Sequence, residues 1–464
     1  MESYKCTQRT RNVIAYFAQK VEVYSIENEE NSNHQDFHHI NSIGQAIECI
    51  HNGVEVLRSC HIIENELMSA SNNNISCQSL LDTGIIGFIL PYAVPDADIE
   101  LLESVISIID KITFINQPLD SPLQNPVFLH NFVSIIQKSF SKIKLNALNI
   151  ISNLLHDENI SKNVFEVLSE INLIQILWNA DLFNSSFTQK TASNFNYSIE
   201  DPIVYSSGIL SDFAETYDKE RVSCLIPYLS IIINNLNVEN QHALKNFVSA
   251  LSYILRSLDS HQIIIDAKVP KICIRLLSFN HEAAVSEIFD CFYRLEKKNN
   301  IPNLLKPKFA RLCTHILETS SNPDILLHII RFLDLFIPKH FNEIDQKLFI
   351  DVLINLTEYQ KYKIKIYSSL VLVRSFNFAS DEIIFYYHEK KLFDFIFSFI
   401  LSYQPDDVIY ILHNILSLIE RNQEMKELFV LDQEFKKMLE EVLTEGEGEV
   451  TEFSQFLIQS FYTD

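Results

Sequence analysis

The sequence predicts an all-α protein, a right-handed solenoid (superhelix) of about eight three-helix repeats. Three observations support this fold class. Glycine supplies only 7 of the 464 residues, which leaves few positions for the left-handed backbone of tight hairpins and phosphate-binding loops. Hydrophobic residues make up 47% of the chain and recur at helical spacing. The same succession of short helical segments returns after about 40 residues.

The stretch 260–296 illustrates one repeat, with a short helix, a second helix from Val269 and a longer third helix from Ala283. Pro270 fits the first turn of the second helix, because a backbone N–H would have no partner there. The third helix carries an apolar stripe whose members recur three and four positions apart: Val285, Ile288, Phe289, Phe292 and Leu295. Helices this short are unstable alone in water, so each repeat needs neighbours on both sides.

Copies of this outline define the predicted domain organisation. Residues 1–39 are predicted to form a largely flexible N-terminal arm, and residues 40–464 a solenoid with a loop insertion near 184–198 and a capping repeat over 423–464. The predicted repeats, the fifth and sixth less regular than the others, are 76–112, 142–178, 226–258, 260–296, 306–338, 341–376 and 381–421.

The charge of the chain restricts its partners. The formal net charge is −23, which disfavours non-specific binding of nucleic acid and of anionic membranes, because both attract basic surfaces. It is compatible with a basic partner, and equally with an acidic surface that only faces solvent. We therefore expect no direct contact with nucleic acid.

Cysteine usage and hydropathy indicate the compartment. The 8 cysteines include no C-x-x-C pair and sit mostly in apolar helical segments, as small buried side chains do in a reducing compartment. The N-terminal residues lack the apolar core of a secretory signal, and the apolar stretch from Leu392 is too short to span a bilayer. The expectation is a protein of the cytoplasm, the nucleus or both, with no membrane span.

Residue patterns for catalysis or metal binding are weak. His34, His38 and His39 lie near Asp36, but their flanks are polar and irregular, so no rigid metal site is predicted. The segment "GEGEV" at Gly446 lacks the glycine spacing and lysine of a phosphate loop. The sequence thus predicts no enzyme, no metal and no cofactor.

One family resemblance rests on the repeat described above. The segment "HQIIIDAKVPKICIRLL", from His261, is similar to the armadillo-repeat pattern, in which a short helix ends in a small-residue turn and an "IPxLVxLL" helix follows. The longer segment from Leu251 to Phe279 resembles the importin alpha family. The segment "SCQSLLDTGIIGFI", from Ser76, resembles the first repeat of that family, and "RTRNV", from Arg9, the end of its basic N-terminal arm.

The resemblance implies a binding groove. In importin alpha proteins the third helices line a concave face and carry Trp-x-x-x-Asn pairs, in which tryptophan holds lysine stems and asparagine fixes the peptide backbone. The positions matching the tryptophans here are Ile106, Asn149, Gly208, Ser249, Asp290, Ile330, Leu370 and Asn414. Those matching the asparagines are Asp110, Asn153, Asp212, Tyr253, Arg294, Asp334, Arg374 and Leu418. The candidate peptide-binding residues are therefore Asp110, Asn149, Asn153, Asp212, Ser249, Tyr253 and Asp290.

None of the tryptophan positions holds tryptophan, and the single one in the chain, Trp178, is predicted to pack in the core from a second helix. Each lost cation–aromatic contact removes roughly 0.5–2 kcal/mol of binding free energy. The expected function is a non-enzymatic adaptor that docks extended protein or peptide ligands, basic ones included. The resemblance implies nuclear import with importin beta as a partner. The alternative is an armadillo scaffold for cytoskeletal or signalling assemblies.

Overall fold

The computed structural model describes residues 43–69, 80, 83–114, 121–138, 141–157, 159–183, 201–215, 226–257, 262–278, 282–297, 307–358, 361–421 and 423–462. The predicted arm over 1–39 and the predicted insertion near 184–198 lie outside these residues. The chain divides into two compact units, Met1–Ala250 and Leu251–Asp464. Every regular element in the described ranges is helical, and none of these helices is both long and apolar enough to cross a bilayer.

The first unit is a stack of helical repeats. The longest helices of successive repeats, α2, α4, α6 and α9, pack side by side in that order. The helices of this unit are α1 Ile43–His51, α2 Val56–Ser69, α3 Ile85–Ile89, α4 Ile99–Thr113, α5 Pro126–Lys138, α6 Ser141–His156, α7 Ser161–Glu170, α8 Leu173–Asn179, α9 Pro202–Glu215, α10 Leu229–Asn235 and α11 Gln241–Ser257, whose last residues belong to the second unit.

The second unit repeats this arrangement. Here α14, α16, α18, α21 and α24 pack side by side. Its helices are α12 Gln262–Asp266, α13 Val269–Ser278, α14 Glu282–Lys297, α15 Pro307–Thr319, α16 Pro323–His340, α17 Gln346–Thr357, α18 Tyr362–Ser375, α19 Asp381–Glu389, α20 Leu392–Ser398, α21 Pro405–Arg421, α22 Gln423–Val430, α23 Gln433–Glu445 and α24 Glu449–Tyr462. Each unit is thus an all-α solenoid of short repeats, which confirms the predicted fold class.

The repeat predicted over 260–296 is present as α12, α13 and α14. Pro270 is buried in the first turn of α13, where its missing N–H leaves no hydrogen bond unmade. All five residues of the predicted α14 stripe are buried. The stripe ends in an aromatic core in which Phe332 of α16 lies 6.0 Å from Phe292 and 5.8 Å from Phe309, between ring centroids. Hydrophobic burial of this kind joins one repeat to the next.

A left-handed residue recurs where the first helix of a repeat meets the second. The residues immediately before α3, α8, α13 and α20 have φ near +60 to +73°: Gly84, Asn172, Lys268 and Lys391. A single residue in this conformation ends one helix and turns the chain sharply into the next. Two of the four are lysines, which tolerate the conformation less well than glycine does.

Two repeats of the second unit have a simpler form. The segments predicted as less regular copies, 306–338 and 341–376, contain the helix pairs α15–α16 and α17–α18. Within the described residues neither pair has a separate α-helix before it; only a short 3-10 turn over Phe341–Glu343 precedes α17. The long helix of each pair still packs in the row of long helices.

Candidate functional site

The candidate site lies on the last and longest helices of the repeats, which we call the third helices: α2, α4, α6 and α9 in the first unit, and α14, α16, α18, α21 and α24 in the second. The partly exposed side chains of these helices form the third-helix face of each unit. Helix α11, also a third helix, crosses the boundary between the units. Because consecutive third helices are neighbours, side chains about 40 residues apart in sequence meet across them.

Asp110, Asn149 and Asn153 come together between α4 and α6. The Asn149 side-chain amide donates to Asp110 Oδ1 at 2.6 Å, and the Asn153 amide donates to the Thr113 hydroxyl at 3.2 Å. The bonded residues are 39 and 40 positions apart, which is one repeat. The helical spacing of the sequence therefore placed these residues on a common surface. Their side chains, however, are hydrogen-bonded across the two helices.

Burial changes the acidity of Asp110. Removal from water raises the pKa of its carboxyl group to about 6, against the opposing effects of the Asn149 hydrogen bond and the nearby Lys111 ammonium. The carboxyl therefore carries a full negative charge only above that pH. A basic ligand would meet its charge at neutral pH, but not under mildly acidic conditions.

Asp212 links α6 to α9. Its carboxylate accepts from the Ser152 hydroxyl at 2.9 Å, and its second oxygen lies 3.4 Å from His156 Nε2. Burial raises the pKa of Asp212 to about 7, while the His156 charge and the Ser152 hydrogen bond lower it and Glu215 raises it further. Ser152 and Asp212 are 60 positions apart, 21 more than Asn149 and Asp110, which agrees with extra residues before α9.

The remaining predicted residues lie on α11 and α14. Ser249 and Tyr253 are both half-buried on α11. In the second unit the Ser252 hydroxyl donates to the Asp290 carboxylate, and Arg294 Nε lies 3.0 Å from Asp290 Oδ2 and 3.1 Å from the Ser252 hydroxyl. Asp290 is thus paired with a cation of its own helix, which reduces the charge it offers to a ligand.

Other third helices of the second unit are also joined by contacts between polar side chains. Arg374 of α18 donates to Asp334 of α16 at 2.8 Å, and its guanidinium lies 5.3 Å from the centre of the Tyr410 ring on α21. Asn377, just past α18, donates to Asn414 of α21 at 2.6 Å. Positions that the family resemblance assigned to a peptide groove therefore bond to neighbouring repeats here.

An aromatic cluster on the last two third helices was not among the predicted site residues. The His413 ring of α21 lies 4.2 Å from the Phe453 ring of α24, and Phe453 stacks with Phe456 at 6.1 Å between centroids. His413 and Phe456 are exposed, Phe456 at 51% of its surface. The sequence did contain a signal for this cluster, because Phe453 and Phe456 lie three residues apart in the last helix of the capping repeat. The positions matched to the family's tryptophans and asparagines, however, end at Asn414 and Leu418, before that helix.

Two aromatic residues of the first unit differ in exposure. Phe247 of α11 is fully buried and lies 6.1 Å from Phe183 between ring centroids, so it offers no ring surface to a ligand. Trp178 does lie in a second helix, α8, yet 39% of its surface is exposed, so it is not a core residue.

Comparison with known proteins supports the fold. No protein-family model and no curated protein matches this sequence. Among solved structures, an engineered protein from a structural genomics consortium matches with a TM-score of 0.70 at 13% identity, covering 91% of this chain and 99% of that one. A designed armadillo repeat protein matches 53% of this chain and 98% of its own at 17% identity and a TM-score of 0.43. A structure described as the phosphorylation-controlled interaction between cadherin and beta-catenin covers 81% of this chain and 64% of its own, at 13% identity and a TM-score of 0.46.

The polar groups of this surface are bonded to one another across neighbouring helices. Within the described ranges, no group of three or more His, Cys, Asp or Glu side chains is placed to hold a metal ion. The titratable groups of the third-helix face instead pair with amides, hydroxyls and guanidinium groups across helices. Such groups can exchange hydrogen bonds with an extended polypeptide, whose backbone offers a donor and an acceptor at each residue.

Proposed function

We propose that this chain is a non-enzymatic protein-binding adaptor, and that extended segments of partner proteins dock on the third-helix face of its units. The supporting observation is the regular row of third helices, with partly exposed polar groups repeated about every 40 residues. An extended peptide makes many weak contacts in sequence, and a row of evenly spaced donors and acceptors suits it. The candidate contacts are Asp110, Asn149, Asn153, Asp212, Ser249, Tyr253 and Asp290.

We propose nuclear import as the finer form of this function, with the chain acting in the cytoplasm and the nucleus. Its support is the armadillo-like repeat pattern and the similarity to importin alpha noted in the sequence. Exposed aromatic rings at His413 and Phe456 supply surfaces for lysine stems, although the positions that match the tryptophans hold other residues. The partners would then be basic localisation peptides and importin beta.

A second candidate is a scaffold for cytoskeletal or signalling assemblies. One observation favours it: several groups at the matched positions, Arg374 and Asn414 among them, are used in contacts between repeats. A groove whose asparagines and acids bind neighbouring helices has fewer groups left for basic peptides. Proximity labelling in cells, which identifies the neighbouring proteins, separates a scaffold from an import adaptor.

The experiment for the general function is selection of peptides from a display library on the full chain, followed by fluorescence anisotropy of the selected peptides. Ser249→Arg would obstruct the first unit, and the pair His413→Ala and Phe456→Ser would remove the exposed rings of the second. Val127→Ser and Leu348→Ser are matched controls, because both residues are exposed on second helices. We expect at least one face variant to weaken binding about tenfold or more while both controls bind normally.

The import hypothesis has its own test. A fluorescent basic localisation peptide and purified importin beta are each titrated against the full chain. Binding of either at micromolar concentration supports import. If neither binds while the selected peptides do, the adaptor function stands and the import hypothesis is wrong. If no peptide can be selected at all, and the face variants change nothing, the adaptor function itself is contradicted.

A further inference from the structure

A basic segment begins helix α18, and its lysines are not neutralised. Lys361, Lys363 and Lys365 lie within five residues of a chain whose net charge is −23. The first two are exposed and the third is half-buried. None of the three forms an ion pair within the part of the chain that the structure describes. By contrast, Lys347 of the preceding helix pairs with Glu382 at 2.9 Å.

The position of these lysines is unfavourable for the helix itself. The first turn of α18 contains no acidic residue, and its N-cap, Lys361, provides no capping hydrogen bond. Positive charge at a helix N-terminus is repelled by the helix dipole, typically by about 0.3–1 kcal/mol per charge. By contrast, the third helices α21 and α24 of this unit do carry acidic residues in their first turns. Helix stability therefore does not account for the lysines of α18.

Exposed apolar side chains surround this basic segment. Tyr362 is 52% exposed, and its hydroxyl donates to the Ser402 carbonyl oxygen. Leu401, next to Ser402, is 43% exposed. Lys365 Nζ lies 5.5 Å from the centre of the Phe399 ring, which is half-buried. We define the α18 patch as Lys361, Tyr362, Lys363, Lys365, Phe399 and Leu401.

Phe399 gives the patch a firm base. Its ring stacks on that of Phe395 at 5.1 Å with an interplanar angle of 19°. The same ring lies 5.5 Å from the Lys365 ammonium nitrogen, so this positive charge is held beside an aromatic surface. Asp394 of α20 and Glu358 at the end of α17 are exposed acids on the neighbouring elements, and neither is within ion-pair distance of the three lysines.

We propose that the α18 patch binds a short acidic segment of a partner protein, in which carboxylates alternate with an apolar side chain. The three lysines would pair with the carboxylates, and the apolar side chain would pack between Tyr362 and Leu401. The patch is small and belongs to an acidic protein. A long polyanion such as nucleic acid, or an anionic bilayer, would extend beyond it onto surface of the same sign of charge, whereas a short segment would not.

This inference goes beyond the proposed function, because the patch lies at the N-terminal end of a third helix and at the 399–402 turn, and none of the candidate contacts belongs to it. Its ligand also has the opposite charge to a basic localisation peptide. The two proposals can therefore fail separately. His413→Ala with Phe456→Ser removes rings of the third-helix face and should leave binding at the α18 patch unchanged.

The test uses the full chain and a fluorescein-labelled synthetic peptide that alternates glutamate with leucine, titrated by fluorescence anisotropy. The variant Lys361→Glu, Lys363→Glu, Lys365→Glu should weaken binding by roughly tenfold or more. The control Lys271→Glu, Lys297→Glu, Lys426→Glu makes the same change in net charge at other exposed lysines, and should change the affinity less than about threefold. Since acids suit a helix N-terminus, the patch variant should melt no earlier than the wild type, as circular dichroism can show.

The remaining comparisons decide between ligands. Leu401→Ser should weaken binding of the glutamate–leucine peptide, because it removes apolar contact. The dependence of this binding on salt should stay unchanged, because no charge is altered. A lysine–leucine peptide should not depend on the patch. The proposal is overturned if the glutamate–leucine peptide fails to bind the wild type at 100 µM, or if patch and control variants bind it equally. It is also overturned if phosphatidylserine vesicles or an oligonucleotide bind more tightly through the same three lysines.

Discussion

Asp212 should make the first unit less stable as pH rises from about 4 to about 7. Its carboxyl has an ordinary pKa of 3.8, and burial raises that pKa to about 7 in the folded chain. Below pH 4 the carboxyl is protonated in both the folded and the unfolded chain, so it adds no pH dependence. Between about pH 4 and 7 only the unfolded chain releases the proton, and the free energy of unfolding falls. Above pH 7 both states are ionised and the loss is complete.

The size of this effect follows from the shift of the pKa. The difference between about 7 and 3.8 is roughly three pH units, and each unit corresponds to about 1.4 kcal/mol. The side chain is only 10% exposed, so solvent screens little of this penalty. The substitution Asp212→Asn removes the charge but keeps an oxygen that accepts from Ser152. The variant should therefore be more stable than the wild type by about 2–4 kcal/mol at pH 8, but only by about 1–2 kcal/mol at pH 5, where part of the loss has already occurred.

The chain contains a built-in probe for this measurement. Trp178 is its only tryptophan and lies in α8, which packs against α5 and α7 of the same unit as Asp212. Urea unfolding followed by tryptophan fluorescence at pH 5 and pH 8 gives the stability of that unit in both proteins. Glu170→Gln is the control, because it removes one exposed carboxylate from the same unit. A difference between Asp212→Asn and wild type that is the same at both pH values would refute the argument.

Three further predictions concern the second unit. Lys391→Gly should stabilise it by about 0.5–1 kcal/mol, because Lys391 has φ = +58° and glycine adopts that conformation without strain. Thermal unfolding by circular dichroism measures the gain, and the control Lys426→Gly, within a right-handed helix, should instead destabilise the unit. Lys339→Met should lower the free energy of unfolding by about 3–5 kcal/mol, because it leaves the buried Glu296 carboxylate, which is 3% exposed and lies 2.5 Å from the Lys339 ammonium, without its cation. An unchanged urea midpoint by far-UV circular dichroism would count against this. Lys297→Met, at an exposed site, is the matched control. Burial raises the pKa of the Cys273 thiol to about 12, and it also raises the pKa values of the Cys291 and Cys313 thiols. N-ethylmaleimide at pH 8 should therefore not label these three thiols in the folded chain, which peptide mapping by mass spectrometry can check. Rapid labelling of the native protein would contradict their burial.

Helix positions within a repeat could be predicted because one physical property decides them. In α14 the apolar residues recur at helical spacing, and the predicted helix 283–296 differs from the observed 282–297 by one residue at each end. The burial of its stripe follows from the same spacing, since a short amphipathic helix is stable only when its apolar side is covered. Pro270 could be placed for a local reason too, namely its missing N–H.

The lateral bonds of the third-helix face could not be predicted in the same way. Helical phase showed that Asp110 and Asn149 share a face with the other candidates, but it does not say how far one helix is shifted along its neighbour. That shift brings the Asn149 amide to 2.6 Å from Asp110, and it depends on the packing of whole repeats. The 39% exposure of Trp178 could not be predicted for a related reason, because assignment to a second helix does not say which of its side chains the neighbouring helices cover.

The lateral bonds also limit where binding free energy can come from. If a ligand took over the Asn153 amide, the bond from Asn153 to Thr113 would be lost, and one hydrogen bond of about 1 kcal/mol would replace another. Groups already used between helices therefore orient a ligand but add little affinity. Net affinity has to come from accessible side chains with surface to spare, such as Phe456 and His413 on the third-helix face. This is why the sharper tests of binding are substitutions at the exposed rings and at the three lysines, rather than at the asparagines that the family resemblance points to.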